Sequence, residues 1–440
     1  MVSPMMIVSM SIIALVVKSP ETSIFLLSLT TLTALSSPSS EVLSTHLLGD
    51  EISNPLISLA SWMTLGVLCY TSSENSNGKA FIIKFLYLIF VLFFYAKKVV
   101  FFFSMFELSL IPIVMIILGW GSQPERIEAG RFLIFYTIFA SVPLLLVTMM
   151  VGGVELSLFQ PNPLWIDPMP RLDLWGSSVV VFLLMFGFLV KLPMFLCHSW
   201  LPKAHVESPL EGSMLLAGVM LKMSVYGMIR LLKILPFFSM PILKSLASGV
   251  LLMGCLLAPL VGLASDDLKM AVAYSSISHM NLVMASALTF KITAVYSSVI
   301  VMVSHGLCSS VLFYVVTQAY GWSGSRSLIF TKGIGSVFSS FALVSFFFWA
   351  MNMSIPPSLP FLGEVLLVVS LLSSIMVAIP LICSFVVFNS VFSMVNFGLA
   401  CHSSEPLLSK SSSPELKTFM VSSFFAIPLL GGFFSSEWII

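Results

Sequence analysis

Charged side chains are scarce in this chain of 440 residues, because Asp, Glu, Lys and Arg together make up only 9% of it. Soluble domains carry about 25% charged residues. Apolar residues reach 58% and the mean hydropathy is +1.06, which is more apolar surface than a globular fold can hide. The formal net charge of +1 gives no field that attracts nucleic acid. The composition therefore excludes a soluble catalytic domain and predicts a polytopic membrane protein.

Closely grouped cysteines are also missing. The chain has six cysteines, which are Cys69, Cys197, Cys255, Cys308, Cys383 and Cys401. None form a C-x-x-C pair, whereas zinc and iron–sulfur sites need grouped thiolates. We interpret them as small apolar residues on membrane helices. A G-x-G-x-x-G fingerprint and a Walker loop are absent as well, so the sequence carries no signature for a redox cofactor, a nucleotide or a metal.

The first apolar stretch, from Met5 to Val17, lacks the marks of a signal peptide. It has neither a basic region before it nor a cleavage site of small residues after it. The sequence also shows no Arg-rich, amphipathic transit segment. We therefore interpret this stretch as the first membrane helix.

Long apolar runs are what the chain has in abundance. A membrane helix needs about 20 apolar residues, and hydropathy read together with turn signals gives about fourteen spans. They lie near 5–17, 22–38, 54–71, 79–96, 98–119, 131–152, 175–197, 209–233, 242–264, 269–289, 293–319, 335–374, 377–400 and 417–433. No polar linker separates domains, so we expect one all-α transmembrane bundle over residues 1–440.

Two of these spans are interrupted by proline. The seventh meets Lys191-Leu192-Pro193, and the twelfth is broken at 355–360 with Glu364 just beyond. Proline removes a backbone donor, and such breaks are tolerated in lipid where they are buried or line a wet cavity. Two five-helix units, spans 4–8 and 9–13, place each break fourth in its unit, and an odd number of helices makes the units inverted. The predicted division is 1–78 for the N-terminal helices, 79–233 and 242–400 for the repeats, and 401–440 for the last helix.

Ionisable residues lie inside these apolar spans. They are Glu107, Lys191, Lys222, His279, His305 and Glu364. A charge at the centre of a bilayer costs roughly 2.5–3.5 kcal/mol on insertion scales, and histidine changes charge near neutral pH. Groups at mid-depth on helices packed about 8–10 Å apart would form a lateral row with water in the gaps. We interpret these residues as a row of proton sites, in which a lysine exchanges its proton as a carboxylate approaches or leaves.

Five of these six residues also have a plainer structural interpretation, whereas Lys222 has no obvious second acid in its own segment. Glu107 and Lys191 can form a buried ion pair that holds two helices together, although such pairs stabilise poorly. His279 and His305 lie among serines and can be neutral, hydrogen-bonded residues. Glu364 can cap the helix that restarts after the proline break, where the helix dipole favours an acid.

Five stretches of the chain resemble the subunit 4 family of mitochondrial NADH dehydrogenase, which are antiporter-like membrane subunits of respiratory complex I. They are FELSLIPIVMIILGWGSQPERIEAG at 106–130, VKLPMFLCHSWLPKAHVESPLEGSMLLAGVMLKMSVYGMIR at 190–230, DLKMAVAYSSISHMNLV at 267–283, SHGLCSSVLF at 304–313, and the PP…LGE stretch at 356–364. The resemblance runs in order from about residue 100 to 365, and the pieces HSWLPKAHVESP and AYSSISHM are the most specific. The ends of the chain diverge.

The resemblance implies a fold of fourteen helices with two inverted repeats, and proton translocation driven by electron transfer from NADH to ubiquinone. By motif, Glu107 is similar to the family's acid on the fifth helix, Lys191 to the lysine at the seventh-helix break, Lys222 to the central lysine of the eighth helix, His279 and His305 to the connecting histidines, and Glu364 to the acid after the twelfth-helix break. His198, His205 and Glu207 lie in a motif beside the first break, and their role is left open. The loop charges at 266–269 are interpreted as solvated helix ends.

The same resemblance implies that the chain is a subunit of an NADH:ubiquinone reductase and holds no redox centre itself. FMN, iron–sulfur clusters and ubiquinone are expected in other subunits. The implied partners are other subunits of the membrane arm, including neighbouring antiporter-like subunits, and the lipid of the mitochondrial inner membrane. Two alternatives stay open: a subunit of a cation/proton antiporter of the same ancestry, and a structural scaffold whose buried charges only pair helices.

Overall fold

The structure is a computed structural model of the chain. It describes residues 4–17, 19–36, 41–42, 47–71, 77–152, 158, 174–234, 241–374, 379–402 and 416–434. Almost all of them are helical, because a chain this apolar satisfies its backbone hydrogen bonds within each segment when no water is available.

The helices of the first half are α1 Pro4–Val16, α2 Pro20–Ser36, α3 Ser53–Thr71, α4 Asn77–Phe94, α5 Val99–Leu108, α6 Leu110–Trp120, α7 Arg126–Gly152, α8 Leu174–Lys191, α9 Trp200–Glu207, α10 Leu210–Leu215 and α11 Leu221–Ile234. A 3₁₀ turn at Phe195–Cys197 precedes α9, and a π-helical turn at Leu216–Met220 joins α10 to α11. A two-residue strand, β1 Glu41–Val42, pairs antiparallel with β2 Leu48–Gly49. This short ribbon was not predicted.

The helices of the second half are α12 Pro241–Leu263, α13 Leu268–Ala287, α14 Ile292–Ser323, α15 Leu328–Thr331, α16 Ile334–Val337, α17 Ser339–Asn352, α18 Leu359–Leu372, α19 Ile379–Cys401 and α20 Leu416–Phe434. Each predicted span thus coincides with one helix, with a pair of helices or, at 335–374, with three helices. Eight segments in the described residues are long and apolar enough to cross a membrane, and four shorter helices are equally apolar. The spans at α2, α3 and α13 fall outside both groups, since Ser and Thr interrupt their apolar runs. The all-α membrane fold is confirmed.

Both predicted breaks are present. Helix α8 ends at Lys191, two residues before Pro193, and a turn separates it from α9. Helices α17 and α18 are separated by residues 353–358, which contain Pro356 and Pro357, while the third proline of the predicted break, Pro360, lies in the first turn of α18. A third interruption was not predicted: Ser109 separates α5 from α6, three residues before Pro112.

The chain divides into two compact units. Unit 1 comprises Met1–Trp200 and Val219–Gly249, and unit 2 comprises Leu201–Gly218 and Val250–Ile440. In unit 1 the largest buried side chains are aromatic rings of α4, α5, α8 and α11. In unit 2, helix α14 is buried along most of its length and packs against α10, α13, α17, α18 and α20. The predicted repeat boundaries remain predictions.

Candidate functional site

Lys191 occupies the break that follows α8 in unit 1. The carbonyl of Val190 lies next to the proline-induced turn and accepts a hydrogen bond from Nε1 of Trp200 at 3.0 Å. Lys191 is 3% exposed, and its Nζ donates to the carbonyl oxygen of Phe106 at 2.8 Å. The same Nζ lies 3.3 Å from the centroid of the Phe106 ring. The ammonium group is therefore held by a peptide carbonyl and a ring face, two favourable neighbours for a buried cation.

Glu107 follows this carbonyl directly, just before the interruption between α5 and α6. The hydroxyl of Ser109 donates to Phe106 O at 2.6 Å, so that oxygen accepts from both Ser109 and Lys191. The charge of Lys191 acts on the Glu107 carboxylate, which also lies beside Ser141. Oε1 of Glu107 has no hydrogen-bond partner within the part of the chain that the structure describes. Lys191 therefore donates to the backbone carbonyl that directly precedes Glu107. The predicted base, Lys191, and the predicted acid, Glu107, are neighbours.

Aromatic rings enclose this part of unit 1. The rings of Phe93 and Phe102 have centroids 4.4 Å apart, and those of Phe106 and Phe188 are 5.4 Å apart. Gly227 of α11 allows the rings to approach, since a Cβ there would meet the Phe188 ring and lie 2.9 Å from Cζ of Phe102. The surroundings of Lys191 and Glu107 are therefore apolar and closely packed.

Lys222 lies one residue into α11, directly after the π-helical turn at Leu216–Met220, and it is fully buried. Such turns are rare and frequently occur at functional sites. Tyr226 and Arg230 follow at intervals of four on the same helix face. The Tyr226 hydroxyl donates to Phe94 O at 2.8 Å, and Arg230 forms an ion pair with Asp50 at 2.8 Å. Sequence reasoning missed this stripe, although its four-residue spacing was a usable signal.

His279 is the centre of the buried polar group in unit 2. Its Nδ1 lies 2.9 Å from Oε1 of Glu364, and its ring centroid is 5.3 Å from that of His305. Its Nε2 lies 3.4 Å from the amide nitrogen of Asn389, a residue of α19 that sequence reasoning did not single out. The structure thus brings three of the predicted residues together and adds an amide.

Glu364 is not the cap of the helix that restarts after the break. Ser358 is the N-cap of α18, and its side chain accepts a hydrogen bond from the backbone N–H of Phe361 at 3.4 Å. Glu364 lies further along α18, where it faces His279 instead. The interpretation of Glu364 as a cap is wrong, because a serine already supplies the acceptor that the helix end needs.

Hydroxyl groups line the helices that carry the two histidines. Buried serines of α13 and α14 donate to carbonyls one turn earlier in their own helices, as Ser275 does to Val272 O at 2.8 Å and Ser304 to Val301 O at 3.2 Å. A serine oxygen bonded in this way keeps lone pairs that can accept from water or imidazole. The surroundings of the histidines are therefore polar as well as buried.

The motif beside the first break contributes a further charged group, at one end of unit 2. Glu207 accepts from Arg326 at 2.8 Å, and Nζ of Lys269 donates to Ser208 O at 3.3 Å. The ring of His205 stacks on that of Phe313 with centroids 4.5 Å apart. Lys269 is thus bound to protein rather than only solvated, contrary to the expectation for the loop charges.

Asp267 and Arg326, which lie at this charged end, have shifted pKa values. Burial raises the pKa of the Asp267 carboxyl; Arg326 opposes this shift, while Asp266 and Glu207 add to it. Burial lowers the pKa of Arg326, but the hydrogen bond and charge of Glu207 outweigh that effect and raise it above its ordinary value. His198, by contrast, stacks on Phe195 in unit 1 and bonds through Nδ1 to the carbonyl of that residue.

Across the described residues, no three side chains of His, Cys, Asp or Glu are grouped so that they could hold a metal ion. What the two units hold instead is ionisable groups whose partners are carbonyls, rings, hydroxyls and amides. A single row that joins Glu107, Lys191 and Lys222 to His279, His305 and Glu364 remains a prediction.

Comparison with known proteins agrees with this architecture. The transmembrane family model described as NADH:quinone oxidoreductase/Mrp antiporter matches residues 96–393. NADH-ubiquinone oxidoreductase chain 4 of Rhipicephalus sanguineus is 33% identical over 400 residues, which are 89% of this chain and 89% of that protein. The chain 4 protein of Lumbricus terrestris is 35% identical over 343 residues, covering 77% and 75% of the two chains.

Solved structures share the fold at lower identity. A chain of respiratory complex I from Thermus thermophilus superposes with a TM-score of 0.83 at 16% identity, covering 99% of this chain and 96% of that one. A chain of the Mrp complex from Dietzia sp. also gives 0.83, at 19% identity, over 99% of this chain and 51% of that one. Together with the match over most of its length to the chain 4 proteins, these results show that the chain belongs to the NADH:quinone oxidoreductase/Mrp antiporter family of membrane subunits, within its branch of NADH-ubiquinone oxidoreductase chain 4.

Proposed function

We propose that this chain translocates protons as a membrane subunit of an NADH:ubiquinone oxidoreductase in the mitochondrial inner membrane. The observation that carries the proposal is the convergence of buried ionisable groups at two proline breaks. Lys191 lies at one break beside Glu107, and Glu364 follows the other beside His279. Buried charges in membrane spans mark proton and ion pathways by default.

In unit 1, the proton carrier is the Lys191 ammonium. It rests on Phe106 O with the Glu107 carboxylate as its neighbour, so a small movement at the break exchanges a carbonyl partner for a carboxylate. A nearby carboxylate favours the protonated amine, and withdrawing it favours release. Lys222, fully buried after the π-helical turn, is the next amine along this unit's sequence.

In unit 2, the imidazole of His279 passes protons through its two nitrogens. A proton taken up at Nε2 is matched by one released from Nδ1 to Oε1 of Glu364, 2.9 Å away. His305, with its ring 5.3 Å from His279, is the neighbouring imidazole on α14. The energy for these transfers comes from electron transfer in other subunits, which hold FMN, iron–sulfur clusters and ubiquinone. The partners of the chain are other membrane-arm subunits, including neighbouring antiporter-like ones.

The test is Lys222→Met in the whole complex, reconstituted in sealed vesicles. We expect the complex to assemble and NADH-driven proton pumping to fall by about 10²-fold, the usual scale for loss of a proton-transferring group. Lys84→Met is the matched control, because Lys84 is also buried in unit 1, 6% exposed, with Nζ bonded to Val17 O at 2.9 Å. A scaffold would lose assembly with Lys222→Met, and normal pumping in an assembled variant would refute the proposal.

The family shared with the Mrp antiporters supports a second candidate, cation/proton antiport. The same vesicles separate the two functions. A sodium gradient that drives proton movement without NADH would favour antiport. We expect proton movement only with NADH and ubiquinone, and no NADH oxidation by this chain alone.

A further inference from the structure

Asn389 holds a position in unit 2 that the proposed proton transfer does not use. It lies on α19 and is 2% exposed. Its amide nitrogen lies 3.1 Å from the carbonyl oxygen of Asn352 and 3.4 Å from Nε2 of His279. Asn352 is the last residue of α17, directly before the proline break. One amide therefore touches both the imidazole and the end of the broken helix.

The chemistry of these contacts assigns the orientation of the amide. A carbonyl oxygen only accepts hydrogen bonds, so the group that faces Asn352 O must be the NH₂ of Asn389. An NH₂ has two hydrogens, and the second points towards Nε2 of His279. Nε2 must then accept, which leaves the ring proton on Nδ1, where it is donated to Glu364. The network selects one neutral tautomer of His279 out of the two that are possible.

A second proton on His279 conflicts with this arrangement. The new Nε2–H would face the amide NH₂, a contact of two donors. If the amide turned to offer its oxygen, that oxygen would face Asn352 O, a contact of two acceptors. In the present orientation, Oδ1 of Asn389 has no hydrogen-bond partner among the described residues.

Three elements pack against α13 near His279, and they carry few ionisable groups. Helix α18 contributes Glu364 and α14 contributes His305. Helix α19 contributes Asn389 and the ring of Phe385, neither of which titrates. Among the described residues, the polar side chains that face His279 are thus one carboxylate, one imidazole and one amide.

We propose that Asn389 is a positioning residue that holds His279 as the neutral tautomer with its proton on Nδ1, ready to deliver that proton to Glu364. This inference rests on the proposed function of the chain in proton transfer. Asn389 itself carries no proton in the transfer. It acts by aiming the donor at the acceptor and by opposing the doubly protonated ring until the amide turns.

The first test is Asn389→Asp in the whole complex, with Asn396→Asp as the matched control. Asn396 is on the same helix face two turns further on, about 10 Å along the axis. It is equally buried at 2%, and among the described residues its amide donates to Phe392 O of its own helix, at 2.9 Å. Aspartate at 389 replaces a donor by an acceptor of the same shape, so an Nε2–H on His279 faces an acceptor instead of a second donor.

We expect the alkaline limb of NADH-driven pumping to move up by about one pH unit or more in Asn389→Asp, the scale of one charge-assisted hydrogen bond. The shift in Asn396→Asp should be less than half of that. Equal shifts in the two variants, or none in an assembled Asn389→Asp complex, would overturn the inference.

A second measurement needs no charged variant. Infrared difference spectra of the complex with isotope-labelled histidine distinguish the two neutral tautomers by their ring stretching bands, and the His279 band is identified by its loss in His279→Ala. We expect the Nδ1–H form in the wild type and a mixture of forms in Asn389→Leu. The Nε2–H form in the wild type, or an unchanged band in Asn389→Leu, contradicts the inference. Normal pumping in Lys222→Met would refute the proposed function alone, since the tautomer of His279 is measured independently of pumping.

Discussion

The two units surround their buried ionisable groups with different chemistry. In unit 1, Lys191 is bound by a backbone carbonyl and a ring face, within a cluster of phenylalanines. In unit 2, His279 is bound by side chains, the carboxylate of Glu364 and the amide of Asn389, on helices rich in buried serine. A partner that belongs to the backbone changes only when the helix break moves, whereas side-chain partners change by rotation. We therefore expect the hydrogen-bond partner of Lys191 to change with movement at the break, and the partners of His279 to change with side-chain rotation.

Each site has a glycine that packs closely against its neighbours, Gly363 in unit 2 and Gly227 in unit 1. Adding a methyl group at either glycine should give the largest loss of stability. A Cβ on Gly363 would lie 2.5 Å from Cγ2 of Val301 and 3.2 Å from the backbone nitrogen of that residue. A Cβ on Gly227 would meet the Phe188 ring. We expect Gly363→Ala and Gly227→Ala each to lower the unfolding free energy by about 2–3 kcal/mol through overpacking. Thermal inactivation of the purified complex measures this.

Gly398 is the control for these variants, because nothing lies within 4 Å of a Cβ built there. Gly398→Ala should be neutral or stabilise by up to about 1 kcal/mol, since alanine is the better helix former. If Gly227→Ala proves as harmless as Gly398→Ala, the rings of unit 1 are less tightly packed than the structure indicates.

The next comparison removes the central group from each site. His279→Leu leaves the Glu364 carboxylate without the hydrogen bond from Nδ1, and we expect a loss of about 2 kcal/mol. Lys191→Met should cost about 1 kcal/mol, because Phe106 O still accepts from Ser109 at 2.6 Å. The two losses are compared by measuring the midpoints of thermal inactivation of the two assembled variants. A larger loss for Lys191→Met would mean that the carbonyl contact matters more than the side-chain contacts.

Each unit also has an ion pair near one end, and the two pairs differ in which partner is buried. In unit 1 the cation Arg230 is 4% exposed and Asp50 is 20% exposed. In unit 2 the anion Glu207 is 5% exposed and Arg326 is 15% exposed. Removing the more exposed partner strands a buried charge, which is the costlier change.

We therefore expect Asp50→Asn to cost more than Arg230→Gln, and Arg326→Gln to cost more than Glu207→Gln. In each unit the difference should be about 1–2 kcal/mol, measured as the shift in inactivation midpoint between the two variants. Equal losses within a pair would show that both partners remain solvated.

The smallest effect is a pH dependence at the charged end of unit 2. Burial raises the pKa of Asp267 above its ordinary value of 3.8. The folded state therefore disfavours the ionised form, and this cost is present above the folded pKa and disappears as the pH falls towards 3.8. Asp267→Asn should stabilise at neutral pH by less than about 0.5 kcal/mol, because the carboxyl is partly exposed.

Stability of Asp267→Asn and the wild type measured from pH 7 down to pH 4 checks the sign. The two curves should converge on acidification. A gap that widens as the pH falls would mean that the attraction of Arg326 outweighs burial.

Much of the fold follows from local features of the chain. Apolar runs of helix length locate the helices, and the prolines after Lys191 and around residue 356 locate two breaks. The interruption at Ser109 was missed although Pro112 was a usable signal, because a proline three residues into a helix is compatible with a continuous span. The π-helical turn before Lys222 was also missed, because the apolar stretch 209–233 reads as one continuous span.

The candidate residues were found from one rule, that charge in an apolar span is costly and therefore used. That rule cannot find partners without charge. Asn389 and Ser358 are ordinary polar residues in the sequence, and only their neighbours, His279 and a helix end, give them a role. By the same rule, Lys269 was interpreted as a solvated loop charge, because it lies at the end of an apolar span. Its position in the sequence does not reveal the hydrogen bond to Ser208 O.

By itself, the amino-acid sequence determined that this protein is a helical membrane subunit and where two of its helices break, and it singled out the buried groups that are predicted to carry protons. Those properties depend on composition and short-range spacing. In lipid an apolar segment must form a helix to satisfy its backbone hydrogen bonds, and proline interrupts that helix locally. Only the tertiary structure decided that Lys191 rests on Phe106 O, that His279 lies between Glu364 and Asn389, and that Ser358 rather than Glu364 caps α18. The pairings of Lys191 and His279 join residues far apart in the chain. Their distances of about 3 Å arise from how helices pack, which spacing along one helix does not encode.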